Sequence, residues 1–135
     1  MKTVLFACVH NAGRSQMAAA LFNALVDPAQ ATAVSAGTEP AEGVHPVVVA
    51  ALKEIRIDVS GVKPRQLTPE MASRAHLLVT MGCGEACQAA PGLRREDWPL
   101  PDPKGRPMEE VRKIRDQIQG RVFSLIAAEG WDRPA

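Results

Sequence analysis

The stretch Cys8-Val9-His10-Asn11-Ala12-Gly13-Arg14-Ser15 places a thiol, a glycine and an arginine within one short segment. The apolar run Val4-Leu5-Phe6-Ala7 precedes it, and Gln16-Met17-Ala18-Ala19-Ala20-Leu21-Phe22, of helix-forming composition, follows it. A strand, tight loop and helix in this order aim successive backbone N–H groups and the positive end of the helix dipole at one point. That geometry suits a tetrahedral oxyanion. The amides of Val9, His10, Asn11, Ala12 and Gly13 would form the cradle, and Arg14 would add a planar, bidentate donor pair. Cys8, at the mouth, would sit in the same positive field, which favours the nucleophilic thiolate. Ser15 can donate a hydrogen bond to that thiolate. Asn11 can pin the loop through its side-chain amide, and Gly13 is expected to supply a backbone conformation with φ > 0. The His10 side chain is given no catalytic role.

Two more thiols lie downstream, in Gly82-Cys83-Gly84-Glu85-Ala86-Cys87. Cysteines four apart on a helix are neighbours, with α-carbons about 6 Å apart, in the upper part of the range a disulfide accepts. Gly82 and Gly84 would let that segment unwind and swing Cys87. Asp102, ahead of Pro103, reads as a turn residue or as a general acid. Cys8, Cys83, Cys87 and a histidine could form a soft metal site, but such sites rarely need the Arg-Ser continuation, so no metal is expected.

These groups need elements to hold them. Residues 2 to 7 read as a central parallel strand, and Ser15 to Leu25 as a helix stopped by Asp27-Pro28. Ala31 to Val34 is a short strand, followed by a loop from Ser35 to Pro40. Pro46 opens a helix with Val47, Val48, Ala51, Leu52 and Ile55 at helical spacing, and His45 is read as its entry residue. Residues 57 to 66 read as loop. Thr68-Pro69 caps a short helix ending at Arg74, and Ala75 to Met81 is a second central strand. The span from Gly82 to Gly105 is the least regular part of the chain, with Arg94-Arg95 as a solvated pair. Met108 to Ala128 is a helix whose apolar stripe is Val111, Ile114, Ile118, Val122, Leu125 and Ile126. Trp98 and Trp131 are expected to be packing residues, and His76 a hydrogen-bonded one. Strands alternating with helices imply a three-layer α/β/α sandwich, in which ligands bind at the carboxyl ends of strands.

Length and composition agree with one domain over residues 1 to 135. With 46% apolar residues, 23% charged residues and a net charge of +1, the chain should form a packed core, and neither a nucleic-acid footprint nor a membrane-surface protein is expected. No apolar run approaches the roughly 18 residues that span a bilayer. Three cysteines, an odd number, with no export signal, suggest reduced thiols in the cytoplasm rather than a structural disulfide framework.

The segment Val4 to Leu21, the loop Ser35-Ala36-Gly37-Thr38 and Asp102-Pro103 resemble the low-molecular-weight protein tyrosine phosphatase superfamily. Cys83 and Cys87, Asp102-Pro103-Lys104-Gly105 and Val111 to Ile118 are most similar to its arsenate reductase branch. The resemblance implies a central parallel four-stranded sheet and an enzyme that reduces arsenate, with phosphate or sulfate as substrate analogues. Cys8 would attack arsenic while Asp102 protonates the departing oxygen, Cys83 would attack the Cys8 sulfur, and Cys87 would resolve that disulfide. A thioredoxin-like protein would reduce the resulting Cys83–Cys87 pair, with no bound cofactor, and the protein is expected to be a monomer. Members that bind potassium do so with acidic side chains where this chain has Ala19 and Gln66, so no potassium is expected. Two rival readings are a phosphatase acting on phosphoprotein or small phosphate esters, and a non-enzymatic oxyanion or arsenite sensor. The chain has no tyrosine for the aromatic rim that the family's phosphotyrosine phosphatases use, which disfavours the first of these.

Overall fold

The sheet is built on β1 (Lys2–Cys8), which has a parallel neighbour on each side. The computed structural model describes residues 1–82 and 93–134. β1 leads through a loop into α1 (Arg14–Leu25) and then β2 (Ala31–Gly37). α2 (Pro46–Lys53) and α3 (Pro69–Arg74) follow, then β3 (Leu77–Thr80), β4 (Arg94–Asp97) and α4 (Met108–Glu129). The strand order is β2-β1-β3-β4, with every pairing parallel. The chain runs from β1 to one side and returns to the other, so the carboxyl end of β1 lies at the point where strand order reverses.

Alternation along β1 divides the core. Val4, Phe6 and Cys8 face Met17, Leu21 and Phe22 of α1, Val48 and Leu52 of α2, and Ile114, Ile118 and Val122 of α4. Leu5 and Ala7 face the thinner opposite layer with Ala36, Leu78, Leu67 and Met71. This is the expected three-layer arrangement, with its helices unequally shared between the faces. Phe6 packs against Trp98, ring centroids 5.5 Å apart, and Phe22 against Trp131 at 6.1 Å, so both tryptophans are packing residues. The Trp131 ring also meets His76, edge to face at 5.9 Å. Complete burial of a side chain such as Phe6 or Leu21 contributes about 1.5–3 kcal/mol. The apolar stripe expected for α4 is buried as read, and Gly130 ends that helix in the left-handed conformation, φ +73°. No described helix is long and apolar enough to cross a membrane.

Three expectations need correction. Ser35, Ala36 and Gly37, read as loop, extend β2, because they pair in register with Phe6, Ala7 and Cys8. The span from Gly82 to Gly105, read as irregular, contains β4. Its sequence Arg94-Arg95-Glu96-Asp97 is polar because the strand lies at the sheet edge, where half-exposed charged residues suit an open ladder. The two arginines there are not a simple solvated pair. Arg94 ion-pairs with Glu129 of α4 and with Glu96, and Arg95 with Asp97. Cys83, Gly84 and Cys87 lie outside the described residues.

Candidate active site

Cys8 ends β1 with its side chain almost wholly buried, and the loop that follows is held from outside by its carbonyl groups. The carbonyls of Cys8, Val9, His10 and Ala12 accept from the N–H groups of Thr38, Glu39, Ala41 and His45, at 2.8 to 3.2 Å. The Asn11 carbonyl accepts from Gln16 Nε2 at 3.0 Å, and the Gly13 carbonyl from Met17 N–H at 3.0 Å. In a trans peptide the C=O of one residue and the N–H of the next point in opposite directions, and the described chain has no cis bond. With their carbonyls held by these partners, the amides of Val9 to Arg14 are left on the opposite side of each peptide, where they are free to bind an anion at Cys8. The Asn11 amide reaches the Cys8 sulfur, with N···Sγ 3.2 Å.

Asn11 organises the loop. Its φ of +52° makes the tight turn, whereas Gly13, expected to do so, has φ −135°. Asparagine tolerates the left-handed region better than most residues because its side chain can bond locally. Here Oδ1 accepts from the backbone N–H of Arg65 at 3.0 Å and from Gln16 Nε2 at 3.1 Å. Because the Arg65 N–H can only donate, the amide orientation is fixed and Nδ2 faces Ser15 Oγ, 2.8 Å away. Ser15 Oγ, which receives that bond, lies 2.8 Å from Cys8 Sγ and has its proton available for a thiolate there. Gly13 is required for space. A β-carbon there would come within 2.9 Å of Pro103 Cγ and 3.5 Å of His45 Cδ2.

Arg14, at the start of α1, is mostly buried. Its Nη1 donates to the Leu100 carbonyl at 2.8 Å, and its Nη2 lies 4.0 Å from Asp102 Oδ2. The other Asp102 oxygen accepts from the Lys104 N–H at 3.0 Å, so the half-exposed carboxyl is held by its own turn. Cys8, Val9, His10, Ala12, Gly13, Arg14, His45 and Asp102 line a pocket of about 130 Å³. The structure thus gathers the described residues singled out in the sequence. Asn11 and Ser15 stand behind the sulfur, and the His10 side chain turns away to the Glu39 carbonyl at 3.0 Å. Gln66 donates through Nε2 to the carbonyls of Gly37 and Thr38 at 3.4 and 3.2 Å, bracing the flanking loop. Among the described residues, no group of three or more His, Cys, Asp or Glu could hold a metal ion.

Two residues that the sequence reading placed elsewhere belong to the site. Gly82, φ +94°, lies against the Arg14 guanidinium, and a β-carbon there would stand 2.6 Å from Nη1. His45, read only as a helix-entry residue, forms a wall of the pocket. Burial lowers its pKa from the ordinary value, as do Lys104 and His10, against the opposing pull of Asp102. The signal for His45 was its position: a helix-entry side chain that makes no capping bond is free to face elsewhere.

A cysteine sulfur that receives a loop amide, beside an arginine at a strand-to-helix junction and facing a carboxyl group, defines a cysteine-dependent site for tetrahedral oxyanions. The chain belongs to the low molecular weight phosphotyrosine protein phosphatase family, whose model matches residues 3–130. A protein of Halobacterium salinarum, named provisionally as an arsenate reductase, is 38% identical over 127 residues, covering 90% of this chain and 88% of its own. A glutaredoxin arsenate reductase of Synechocystis is 34% identical over 130 residues, covering 94% of this chain and 98% of its own. A thioredoxin-dependent arsenate reductase of Corynebacterium glutamicum has a structure that superposes with a TM-score of 0.82 at 36% identity. That match covers 95% of this chain, which spans 61% of the Corynebacterium chain.

Proposed function

We propose that this protein reduces arsenate to arsenite as a monomer in the cytoplasm, with a thioredoxin-like protein as electron donor. The observation that carries this reading is the convergence on Cys8 Sγ of the Asn11 amide and the Ser15 hydroxyl, at the base of a pocket walled by Arg14 and Asp102. The Asn11 amide and the Ser15 hydroxyl can both donate to a sulfur that attacks as the thiolate. Arsenate bound by the amides of Val9 to Gly13 and by Arg14 presents arsenic to that thiolate. A sulfur–arsenic bond forms as one oxygen departs, and the Asp102 carboxyl supplies the proton that makes it water.

The arsenic is still pentavalent at this point, and its reduction needs a second thiol. Cys83 thiolate attacks the Cys8 sulfur, the sulfur–arsenic bond breaks toward arsenic, and arsenite leaves with two electrons. Cys87 thiolate then attacks the Cys83 sulfur, which frees Cys8 and leaves a Cys83–Cys87 disulfide. Thiol exchange with the donor restores both thiols. Three cysteines match the three sulfur positions of this sequence of steps. The names borne by the relatives from Halobacterium, Synechocystis and Corynebacterium support a reductase over a phosphatase, as does the absence of tyrosine from the chain.

The test is arsenate turnover coupled to NADPH oxidation, with thioredoxin and thioredoxin reductase or with glutaredoxin and glutathione. Wild type should turn over with the thioredoxin pair, and Cys83→Ser and Cys87→Ser should lose that turnover. Full thioredoxin-coupled activity in both variants would refute the relay. Hydrolysis of an aryl phosphate with no arsenate turnover would establish the phosphatase instead.

A further inference from the structure

The oxyanion pocket is rich in donors. Amides line its floor and Arg14 one side, and in the proposed reaction the Asp102 carboxyl is the group that gives a proton to the departing oxygen. Arsenate near neutral pH still carries a proton on at least one oxygen, and that O–H needs an acceptor. Of the two histidines on the pocket wall, His10 is engaged through Nδ1 with the Glu39 carbonyl, whereas neither ring nitrogen of His45 has a partner among the described residues.

His45 is fixed in place. Its backbone N–H donates to the Ala12 carbonyl at 2.9 Å, its own carbonyl receives the Val48 and Val49 amides, and Pro46 follows it at the head of α2. The ring lies against Gly13, 3.5 Å from where a β-carbon would stand, and makes no hydrogen bond to a described residue. The groups that face it are Asp102 and Lys104 from the segment before α4, His10 from the loop after β1, and Arg14 at the start of α1. Burial, together with Lys104 and His10, disfavours the imidazolium. A neutral imidazole offers one nitrogen as an acceptor.

We infer that His45 accepts a hydrogen bond from the protonated oxygen of the bound anion, and so selects hydrogenarsenate and hydrogenphosphate over sulfate. Sulfate has the same shape but no proton at neutral pH, so it gives the accepting nitrogen no hydrogen bond and could be met only by the other imidazole tautomer. Discrimination by a partner left unpaired is stronger than discrimination by size. The inference rests on the oxyanion-site reading above and assigns His45 a positioning and specificity role in it.

Isothermal titration of the reduced full-length protein with inorganic phosphate and with sodium sulfate at neutral pH tests this, on wild type, His45→Ala, His45→Phe and His45→Gln. Wild type should favour phosphate by about tenfold, the worth of one hydrogen bond in a partly open site. His45→Ala and His45→Phe should bring the ratio close to one, and His45→Gln, which keeps an acceptor oxygen, should retain part of it. Circular dichroism identifies any variant that fails to fold, and the other substitutions then decide. Equal affinities in wild type, or an unchanged preference in folded His45→Ala and His45→Phe, would overturn the assignment. Arsenate turnover in the same samples separates the outcomes: turnover with an unaltered anion preference removes the role of His45 alone, whereas neither turnover nor anion binding removes the oxyanion-site reading with it.

Discussion

Gly82 and Arg14 pack so closely that the space a β-carbon would need at position 82 is already filled by the guanidinium, 2.6 Å away at Nη1 and 2.9 Å at Nη2. The glycine also holds φ +94°, which an alanine would adopt only with strain. The carboxyl-terminal side of β3 is therefore a platform for the arginine of the oxyanion site. Gly82→Ala should displace the guanidinium and raise the KM for arsenate roughly 10- to 100-fold, the range of a charged hydrogen bond worth about 1.5–3 kcal/mol. Steady-state kinetics with the coupled assay would show it, and an unchanged KM would mean that Arg14 is held by its bond to the Leu100 carbonyl alone.

Asn11 and Ser15 act on the sulfur as one unit, because the Asn11 amide group both donates to the serine oxygen and is itself locked by Arg65 and Gln16. Ser15→Ala removes one donor from Cys8. The rate of alkylation by iodoacetamide at pH 6, followed by mass spectrometry of the Cys8 peptide, should fall about tenfold. Asn11→Ala loses the serine's orientation as well as the turn, and the double variant should lose less than the product of the two single losses. Independent, multiplicative losses would contradict the shared network.

Much of this was legible in the chain, and the rest was hidden for definite reasons. The Cys8 to Ser15 loop is local, so its strand, turn and helix could be read from composition alone. The outward binding of its carbonyls could not, because the partners Thr38, Glu39, Ala41 and His45 come from a segment some thirty residues away. Asn11 pins the loop as expected but also makes its turn, and what Gly13 supplies instead is space, because the crowding there comes from Pro103 and His45, distant in sequence. β4 was missed because an edge strand needs no apolar alternation, and Arg94-Arg95-Glu96-Asp97 has none. The α4 stripe, by contrast, follows from helical period, and each of its expected positions is buried.

Asp102 faces the pocket from a turn, with Lys104 N–H on one oxygen and Arg14 beyond the other. If it serves as the acid, Asp102→Asn should lower kcat by roughly 10²- to 10⁴-fold, the usual contribution of general acid catalysis, and leave phosphate affinity within a few fold. The separation of kcat from binding is the critical observation. Equal losses in both would make Asp102 an anchor for Arg14 rather than a proton source.

α2, which carries His45 at its head, is tied to α4 by Glu54. Its carboxylate accepts from Arg112 Nε and Nη2 at 3.0 and 2.7 Å, and from Arg115 Nη1 at 2.9 Å. Arg115 is itself buried and also donates to the Ala51 carbonyl at 2.7 Å. Hydrogen bonding from Arg112 foremost, and from Arg115, lowers the Glu54 pKa to about 2 from an ordinary 4.5. A carboxylate whose pKa is lower folded than unfolded stabilises the protein above the unfolded value, and that contribution drains away as pH falls from about 4.5 toward 2. Urea midpoints of wild type should accordingly decline across that window. Glu54→Gln should be less stable at pH 7 and should show a shallower acid decline, so that the two curves converge near pH 2. The pair is largely open to solvent, so the gap at pH 7 should narrow in high salt. Parallel curves for the two proteins would mean that other carboxylates carry the acid sensitivity and that Glu54 does not tie α2, with the His45 wall, to α4.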